Sequence, residues 1–497
     1  VSAIKKILLV YPESPNTFWS FTHALKFISK KSSFPPLGLI TIAAMLPDTY
    51  ERKLIDMNVT ALKDKDIQWA DYVFISAMVI QKKSARAVIE RCKSLGVKTV
   101  AGGPLFTFEH AEFDDVDHIL LYEGELTVPN FLHDLENGSP KHLYTINNWT
   151  DISQTPIPAW DLVEINKYAT LNIQYSRGCP FNCEFCNITT LFGRVPRTKS
   201  AEQLLSELDI IYEKGWRGGV FFVDDNFIGN RTKLKNDILP ILIQWMEKRD
   251  YPFSFLTEVS INLSDDDELM KLMVKAGFET VFVGIETVNE ASLAECNKIQ
   301  NRNRDMSECV RKIQKNGLQV QGGFIVGFDS DNETIFEKMI RFIQDTGIVT
   351  AMVGLLNAPK GTLLYKRLEK EGRITESFSG NNMDLSINFT PKMNFDTLIN
   401  GYKDIVSTIY SPKYYYERVM NFLKEFRPIS LRKPHFSFNE IRAFIKANIN
   451  LGFFGKERKY YWKLFLWSMF KRPRLFPLAI TLAIYGYHFR KTIEENV

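Results

Sequence analysis

Ser176-Arg177-Gly178-Cys179-Pro180-Phe181-Asn182-Cys183-Glu184-Phe185-Cys186 is the stretch from which the rest of the chain can be read. Cys179, Cys183 and Cys186 stand at CxxxCxxC spacing, on what reads as a short loop after a strand. Thiolates are soft, strong ligands for iron. Three of them on one loop can hold three irons of a [4Fe–4S] cubane and leave the fourth iron open. A zinc knuckle uses the same residue type, but zinc asks for a fourth Cys or His at comparable spacing. None stands there. The triad therefore predicts a cluster with one open iron.

Outward from the cysteines, the pattern is one of alternating strands and helices. Strands are expected at Asn172–Ser176, Gly219–Val223, Ser254–Thr257, Thr280–Gly284, Gln319–Val326 and Thr350–Asn357. These six βα units fit a partial TIM-like barrel. Upstream, β-rich runs at Lys6–Tyr11, Arg52–Asp56, Tyr72–Ala77, Lys98–Ala101 and His118–Tyr122 alternate with helices such as Pro36–Leu46 and Lys83–Ser94. That is a flavodoxin-like or Rossmann-like parallel sheet, whose ligands sit beyond the carboxyl ends of the strands. A proline-stiffened linker with Pro156, Pro158 and Trp160 joins the two. After about Leu368 the chain turns helical and aromatic. The expected α/β division is residues 1–145, a linker over 146–170, the barrel over 171–368 and a mainly helical domain over 369–497.

The chain has 497 residues, with 45% hydrophobic and 24% charged, ordinary values for a protein with a sizeable core. Its net charge of +4 is too small to imply nucleic acid. Between Ser411 and Val497, however, seventeen Lys and Arg face six Asp and Glu, a net of +11, which leaves −7 on the other 410 residues. A basic end on an acidic body is expected to meet an anionic partner such as a membrane surface. Within it, Leu475–Phe489 is almost free of charge but shorter than the roughly 20 residues of a spanning helix. It reads either as a core helix or as a helix lying against a bilayer.

Besides the triad there are three scattered cysteines, Cys92, Cys296 and Cys309. That is no disulfide framework, and it fits a reducing compartment. The apolar run Ile7–Val10 lacks the length and cleavage site of a signal peptide and reads as a first strand. A cytoplasmic protein is expected, with peripheral contact at the inner membrane face.

The cysteine motif is similar to that of the radical S-adenosylmethionine (SAM) superfamily, and the likeness extends past it. Phe185 takes the aromatic position whose backbone touches adenine in that family. Asp224-Asp225-Asn226 follows the second barrel strand, where the family places polar groups for the SAM amino group. Glu258 ends the third strand, and Gly284-Ile285-Glu286 resembles the ribose-binding motif of the fourth. Gly322-Gly323-Phe324-Ile325-Val326-Gly327 resembles the fifth-strand motif near adenine. The resemblance thus implies Phe185, Asp225, Glu258 and Glu286 as SAM-binding residues. A carboxylate suits a ribose diol because it accepts two hydrogen bonds.

A flavodoxin-like domain before such a barrel resembles the cobalamin-dependent class of the superfamily. Matching stretches are Pro35–Pro47, Ser76–Gln81, Ala101–Thr107 and Tyr122–Glu125. The resemblance implies Ser76, Gly102, Gly103 and Glu125 as cobalamin-binding residues, the small ones making room for the nucleotide tail. The DxHxxG signature is replaced by Asp56-Met57-Asn58, so cobalt without a protein histidine below it is expected. Farther on, Gly354–Thr362, Asn388–Met393 and Ile409–Tyr415 resemble the hopanoid C-2 methylase group.

Together these likenesses imply a methyltransferase. Reduced cluster would cleave SAM, a 5′-deoxyadenosyl radical would take hydrogen from an unactivated carbon, and methylcobalamin would supply the methyl group. A small-molecule or lipid substrate and an external electron donor are expected. No catalytic side chain beyond the binding residues is singled out. The alternative is a cobalamin-dependent radical SAM enzyme that cyclises or rearranges its substrate without methylating it.

Overall fold

The structure is a computed structural model describing residues 5–429, 431 and 438–496. Residues 1–4 of the N-terminal stretch and residues 430, 432–437 and 497 of the basic tail lie outside these.

Apolar side chains fill β1 (Lys6–Tyr11), where Ile7, Leu8, Leu9 and Val10 are all buried. A strand apolar on both faces must be covered on both, which is the environment of a parallel sheet between helix layers. Such a sheet forms from β1, β2 (Glu51–Asp56), β3 (Tyr72–Ser76), β4 (Lys98–Gly102), β5 (His118–Leu120) and β6 (Leu143–Tyr144). Its order is β2-β1-β3-β4-β5-β6 and every pair is parallel. Ile7 and Leu9 pack under the helices Leu37–Met45 and Gly124–Glu136, and Leu8 and Val10 under the helix Lys82–Ser94. β6, only two residues long, is too short to carry a periodic signal.

The second sheet contains β7 (Thr170–Ile173), β10 (Gly219–Phe222), β11 (Ser254–Val259), β12 (Phe278–Glu286), β13 (Gln319–Val326) and β14 (Ala351–Leu355). They lie side by side in chain order, all parallel, as six strands of an open barrel. One expected strand is corrected: Asn172–Ser176 ends early, at Ile173. The Asp224 carboxylate, just beyond β10, accepts the backbone N–H of Tyr175 at 3.2 Å and both the N–H and the hydroxyl of Ser176. That pulls the chain out of the sheet. Ser176-Arg177 (β8) instead pairs antiparallel with Arg197-Thr198 (β9).

The proline-rich linker is anchored by Trp160, which is buried in the same core as the barrel strands. Beyond the barrel come the helices Leu363–Lys370, Phe395–Tyr410, Pro412–Glu425, Phe438–Ala447, Arg458–Lys471 and Phe476–Asn496. The last covers most of the charge-poor run, and it is a core helix. Ala479, Leu482, Ala483 and Phe489 are buried, the Tyr415 hydroxyl donates to the Leu482 carbonyl at 2.6 Å, and Phe489 stacks on Phe18. The reading of Leu475–Phe489 as a helix lying against a bilayer is therefore corrected: protein covers the apolar side chains that a bilayer would have to meet. Among the described residues, no helix is long and apolar enough to cross a membrane.

Candidate active site

The cysteine loop leaves β8 through Gly178, whose φ is +95°. A Cβ there would stand 2.9–3.1 Å from the carbonyl oxygens of Val195, Gly193 and Phe192, so only glycine fits. Polar hydrogens then converge on the thiols. The Gln300 amide lies 3.6 Å from Cys183 Sγ and the Asn226 amide 4.0 Å from Cys179 Sγ. Backbone groups of Phe181 and Ile188 bond to Cys179 and Cys186. Burial raises Cys179 and pushes Cys186 up to about 12. Partly buried thiols ringed by N–H donors suit an iron–sulfur cluster, whose sulfurs accept such bonds. Among the described residues, no three His, Cys, Asp or Glu side chains converge on a point for a single metal ion. A cubane asks for no such convergence, since each thiolate takes its own iron.

Both ends of the loop are held by ions. Arg177, buried, donates to Glu125 at 2.7 and 3.0 Å and to Glu123 at 3.1 Å. Glu123 also accepts from Arg197 and from the Thr150 backbone. On the far side, Glu184 forms a two-pronged pair with Arg367 at 2.6 and 3.0 Å, and its backbone bonds to Cys296 and Leu364.

The four residues singled out for SAM meet around the carboxyl ends of β10, β11 and β12. Burial raises Asp225 to about 6, and one of its oxygens is sealed from solvent without a partner. Burial, reinforced by Asp225, Asp224 and Glu286, raises Glu258 to about 8. Glu286 has φ +63°, an uncommon conformation for a non-glycine residue. The Asn301 amide holds that turn by donating to the carbonyls of Gly284 and Ile285. Lys298 Nζ lies 2.5 Å from Glu286 Oε1 and 5.9 Å from the centre of the Phe185 ring. Burial alone would lower the Lys298 ammonium, but Glu286 and the neighbouring thiols outweigh it and raise it. A ring of carboxylates with one lysine can receive a ligand carrying both charges, as an amino acid sulfonium does.

Ser76, Gly102, Gly103 and Glu125 all line one cavity of about 260 Å³. It lies between the helix Leu37–Met45 and the carboxyl ends of β3, β4 and β5, and Gln174, Arg177, Phe192 and Val223 of the barrel close its other side. Its wall is bare backbone at Gly103, where φ is +92° and a Cβ would stand 2.9 Å from Ser76 Oγ. Among the described residues, no histidine lines it. Asp56, at the place of the missing signature, is buried and accepts from Asn58 and from the Tyr168 hydroxyl at 2.9 Å. A cavity of this size takes the tail of a large group rather than a whole corrin, which would have to extend past its open side.

The sequence reading did not single out Arg177, Glu123, Lys298, Gln300 or Arg367. Arg177 stands two residues before Cys179 and Glu123 two before Glu125, inside the same motifs. Lys298 and Gln300 carry no motif.

Residues 173–343 match the profile of the radical SAM superfamily, residues 27–132 that of the B12 binding domain, and residues 362–497 that of a domain of unknown function, DUF4070. The chain is 38% identical to an uncharacterised methyltransferase of Synechocystis sp., over 99% of this chain and 93% of that one. It is 35% identical to the hopanoid C-2 methylase of Rhodopseudomonas palustris, over 82% of this chain and 77% of the relative. The chain belongs to the cobalamin-dependent radical SAM methyltransferases. This methyltransferase shares its fold with the radical SAM methyltransferase TsrM of Kitasatospora setae, solved with cobalamin and a [4Fe–4S] cluster bound. The TM-score is 0.64 at 12% identity, over 99% of this chain and all of TsrM. It likewise shares the fold of OxsB, solved with aqua-cobalamin and SAM, at TM-score 0.63 and 16% identity, over 99% of this chain and 80% of OxsB. The cofactors of the methyltransferase are a [4Fe–4S] cluster, SAM and cobalamin.

Proposed function

We propose that this methyltransferase methylates an unactivated carbon of a lipid or similarly hydrophobic molecule. The observation that carries the reading is the shared wall: Arg177, two residues before Cys179, lines the same cavity as Ser76, Gly102, Gly103 and Glu125. A methyl donor in that cavity would stand beside the mouth where hydrogen is removed. The hopanoid C-2 methylase among the relatives supports the substrate class.

When bound, the cluster with SAM supplies a hydrogen-abstracting radical and cobalamin supplies the methyl group. The chain's residues do the positioning. Cys179, Cys183 and Cys186 hold the cluster. Glu286, fixed by Lys298, would accept hydrogen bonds from the ribose hydroxyls, Asp225 and Glu258 would hold the cationic end of SAM, and the backbone at Phe185 would meet adenine. Ser76, Gly102 and Gly103 leave room for cobalamin, while Glu125 braces its wall through Arg177. The working division is the cobalamin domain over 1–145, the linker over 146–170, the barrel over 171–368 and the helical domain over 369–497. The cluster, when bound, would need an external electron donor, and the enzyme would work at the inner membrane face of the cytoplasm through its basic C-terminal part.

The test is anaerobic incubation of reconstituted enzyme with SAM, a reductant and extracted lipids. Formation of 5′-deoxyadenosine with a product one carbon heavier supports methylation. A product of unchanged carbon count would replace it with cyclisation or rearrangement.

A further inference from the structure

The helices Phe438–Ala447 and Arg458–Lys471 form a hairpin whose amphipathicity is inverted. Ile441, Ile445 and Ile449 recur every fourth residue, the spacing of a core-facing stripe. Yet they are about half exposed, while the small residues Ala443 and Ala447 are the buried ones. On the second helix, Tyr461, Leu464 and Ser468 face inward, and Leu466 and Phe470 face out, Phe470 at 72% exposure. At the turn between them, Phe453 and Phe454 are 63% and 83% exposed. The hairpin is held together and to the body: the Phe444 ring stacks on Phe465 at 6.1 Å, and Phe465 meets Phe476 of the final helix edge-on at 4.9 Å. Its bare side chains are therefore held outward, and scattered single exposures do not account for so many in one place.

The charges around this face say what covers it. Arg442, Lys459, Lys463 and Lys471, all exposed, border the apolar side chains. Between residues 440 and 475 the only acids are Glu440 and Glu457, and Glu457 is buried against Arg490. A second copy of the chain would bring these cations against one another. An anionic lipid surface offers apolar depth for the aromatic and aliphatic chains and negative charge for the rim, and aromatic rings favour the water–lipid boundary.

We propose that this hairpin face, and not the buried final helix, docks the enzyme on an anionic bilayer, with Phe453, Phe454, Leu466 and Phe470 entering the headgroup region. The proposal rests on the membrane contact proposed above and names the surface that makes it.

The test is flotation of the full chain, loaded with cluster and cobalamin, with vesicles of phosphatidylcholine alone or mixed with phosphatidylglycerol. The wild type is expected to float with the mixed vesicles only, and less as salt rises. Phe454→Ser with Phe470→Ser, and separately Lys459→Glu with Lys463→Glu, should weaken that binding by about tenfold or more while melting temperature and iron content stay unchanged. If the wild type floats and both double variants float equally well, this surface is wrong and the membrane contact stands. If the wild type floats with neither vesicle, both fall, whereas methylation of an extracted lipid would still be judged separately. A dimer in sedimentation that the Phe454→Ser, Phe470→Ser variant abolishes would assign the face to a second copy and overturn the proposal.

Discussion

Arg177 Nη2 lies 2.7 Å from Glu125 Oε1, and that bond ties the loop of the cluster cysteines to the sheet domain facing it. The pair is buried on both sides, and Glu123 joins it with no exposed side-chain surface. At the other end of the loop, Glu184 is tied to Arg367 of the helix after the barrel. The loop is thus fixed from two directions, and the distance between the cavity that Arg177 lines and the cysteines is set by an ion cluster.

Removing Arg177 should be costly for that reason. In Arg177→Ala, Glu125 keeps only the Thr155 hydroxyl at 2.8 Å as a side-chain partner. Breaking a buried pair on one side typically destabilises by about 3–5 kcal/mol, so a clear fall in melting temperature is expected. Cobalamin retention should fall as well. Arg177→Lys should recover little, since one ammonium cannot reproduce a guanidinium fork to two carboxylates. Unchanged melting temperature and cobalamin retention in Arg177→Ala would refute the bracing role.

Anaerobically reconstituted protein should carry about four irons and four sulfides per chain, as a cubane on three thiolates requires. Cys183→Ala should remove most of the iron. Cys296 is the informative control: it is buried, its thiol is pushed up to about 12 by burial, and its backbone carbonyl accepts from the Glu184 N–H. Cys296→Ala should keep its iron. Equal loss of iron in Cys296→Ala would overturn the triad assignment.

Gly103→Val should abolish cobalamin binding. The new Cβ would meet Ser76 Oγ at 2.9 Å and the Ala77 carbonyl at 3.1 Å, from a backbone at φ +92° that a β-branched residue resists. Visible absorbance after gel filtration with hydroxocobalamin reads the loss, and retained iron content shows that the barrel still folds. A variant that binds cobalamin like the wild type would remove this cavity from consideration.

The structure should also be acid-labile at one identifiable joint. Burial by itself would raise Asp329, but its bond to Arg373, the charges of Arg373 and Lys392 and a bond from Arg367 bring it down to about 2. A carboxylate depressed in the folded state stabilises fully above its unfolded value of about 3.9 and loses that contribution as pH falls toward the folded value. Thermal melts should therefore show a loss between about pH 4 and pH 2 that Asp329→Asn reduces. The same variant should melt lower at neutral pH. An unaltered pH profile in Asp329→Asn would count against the joint.

How far the sequence could be read follows the distance between partners. The cysteines, the Asp224-Asp225 pair and Gly284-Ile285-Glu286 carry their chemistry within a few neighbouring residues, so their spacing is a signal. Arg367 meets Glu184 across 183 residues and Lys298 meets Glu286 across 12, and a lone base in a polar stretch looks like any solvated one. Ser176 shows the limit for strands: its run is as β-rich as its neighbours, and a carboxylate 48 residues later turns it aside. The final helix and the Ile441–Ile449 stripe show the limit for burial. Apolar side chains read alike whether protein covers them or not, and only packing separates the covered helix from the bare one.

The last prediction concerns SAM and pH. Glu258 is raised to about 8 by burial and by the nearby Asp225, Asp224 and Glu286, so at pH 6 it is mostly protonated. Asp225, at about 6, is largely ionised by pH 7. A cationic sulfonium arriving at this mouth favours ionised Glu258, so binding should release a proton between about pH 6 and pH 8. By linkage, SAM affinity should rise with pH across that window and level off above it. Glu258→Gln carries no charge at any pH. Its SAM affinity should match the wild type near pH 6, fall below it near pH 8, and show a flatter slope between. Equilibrium dialysis of the iron-loaded protein with labelled SAM at several pH values reads all three. A Glu258→Gln variant with the full wild-type slope would place the titrating group elsewhere and remove Glu258 from the SAM site.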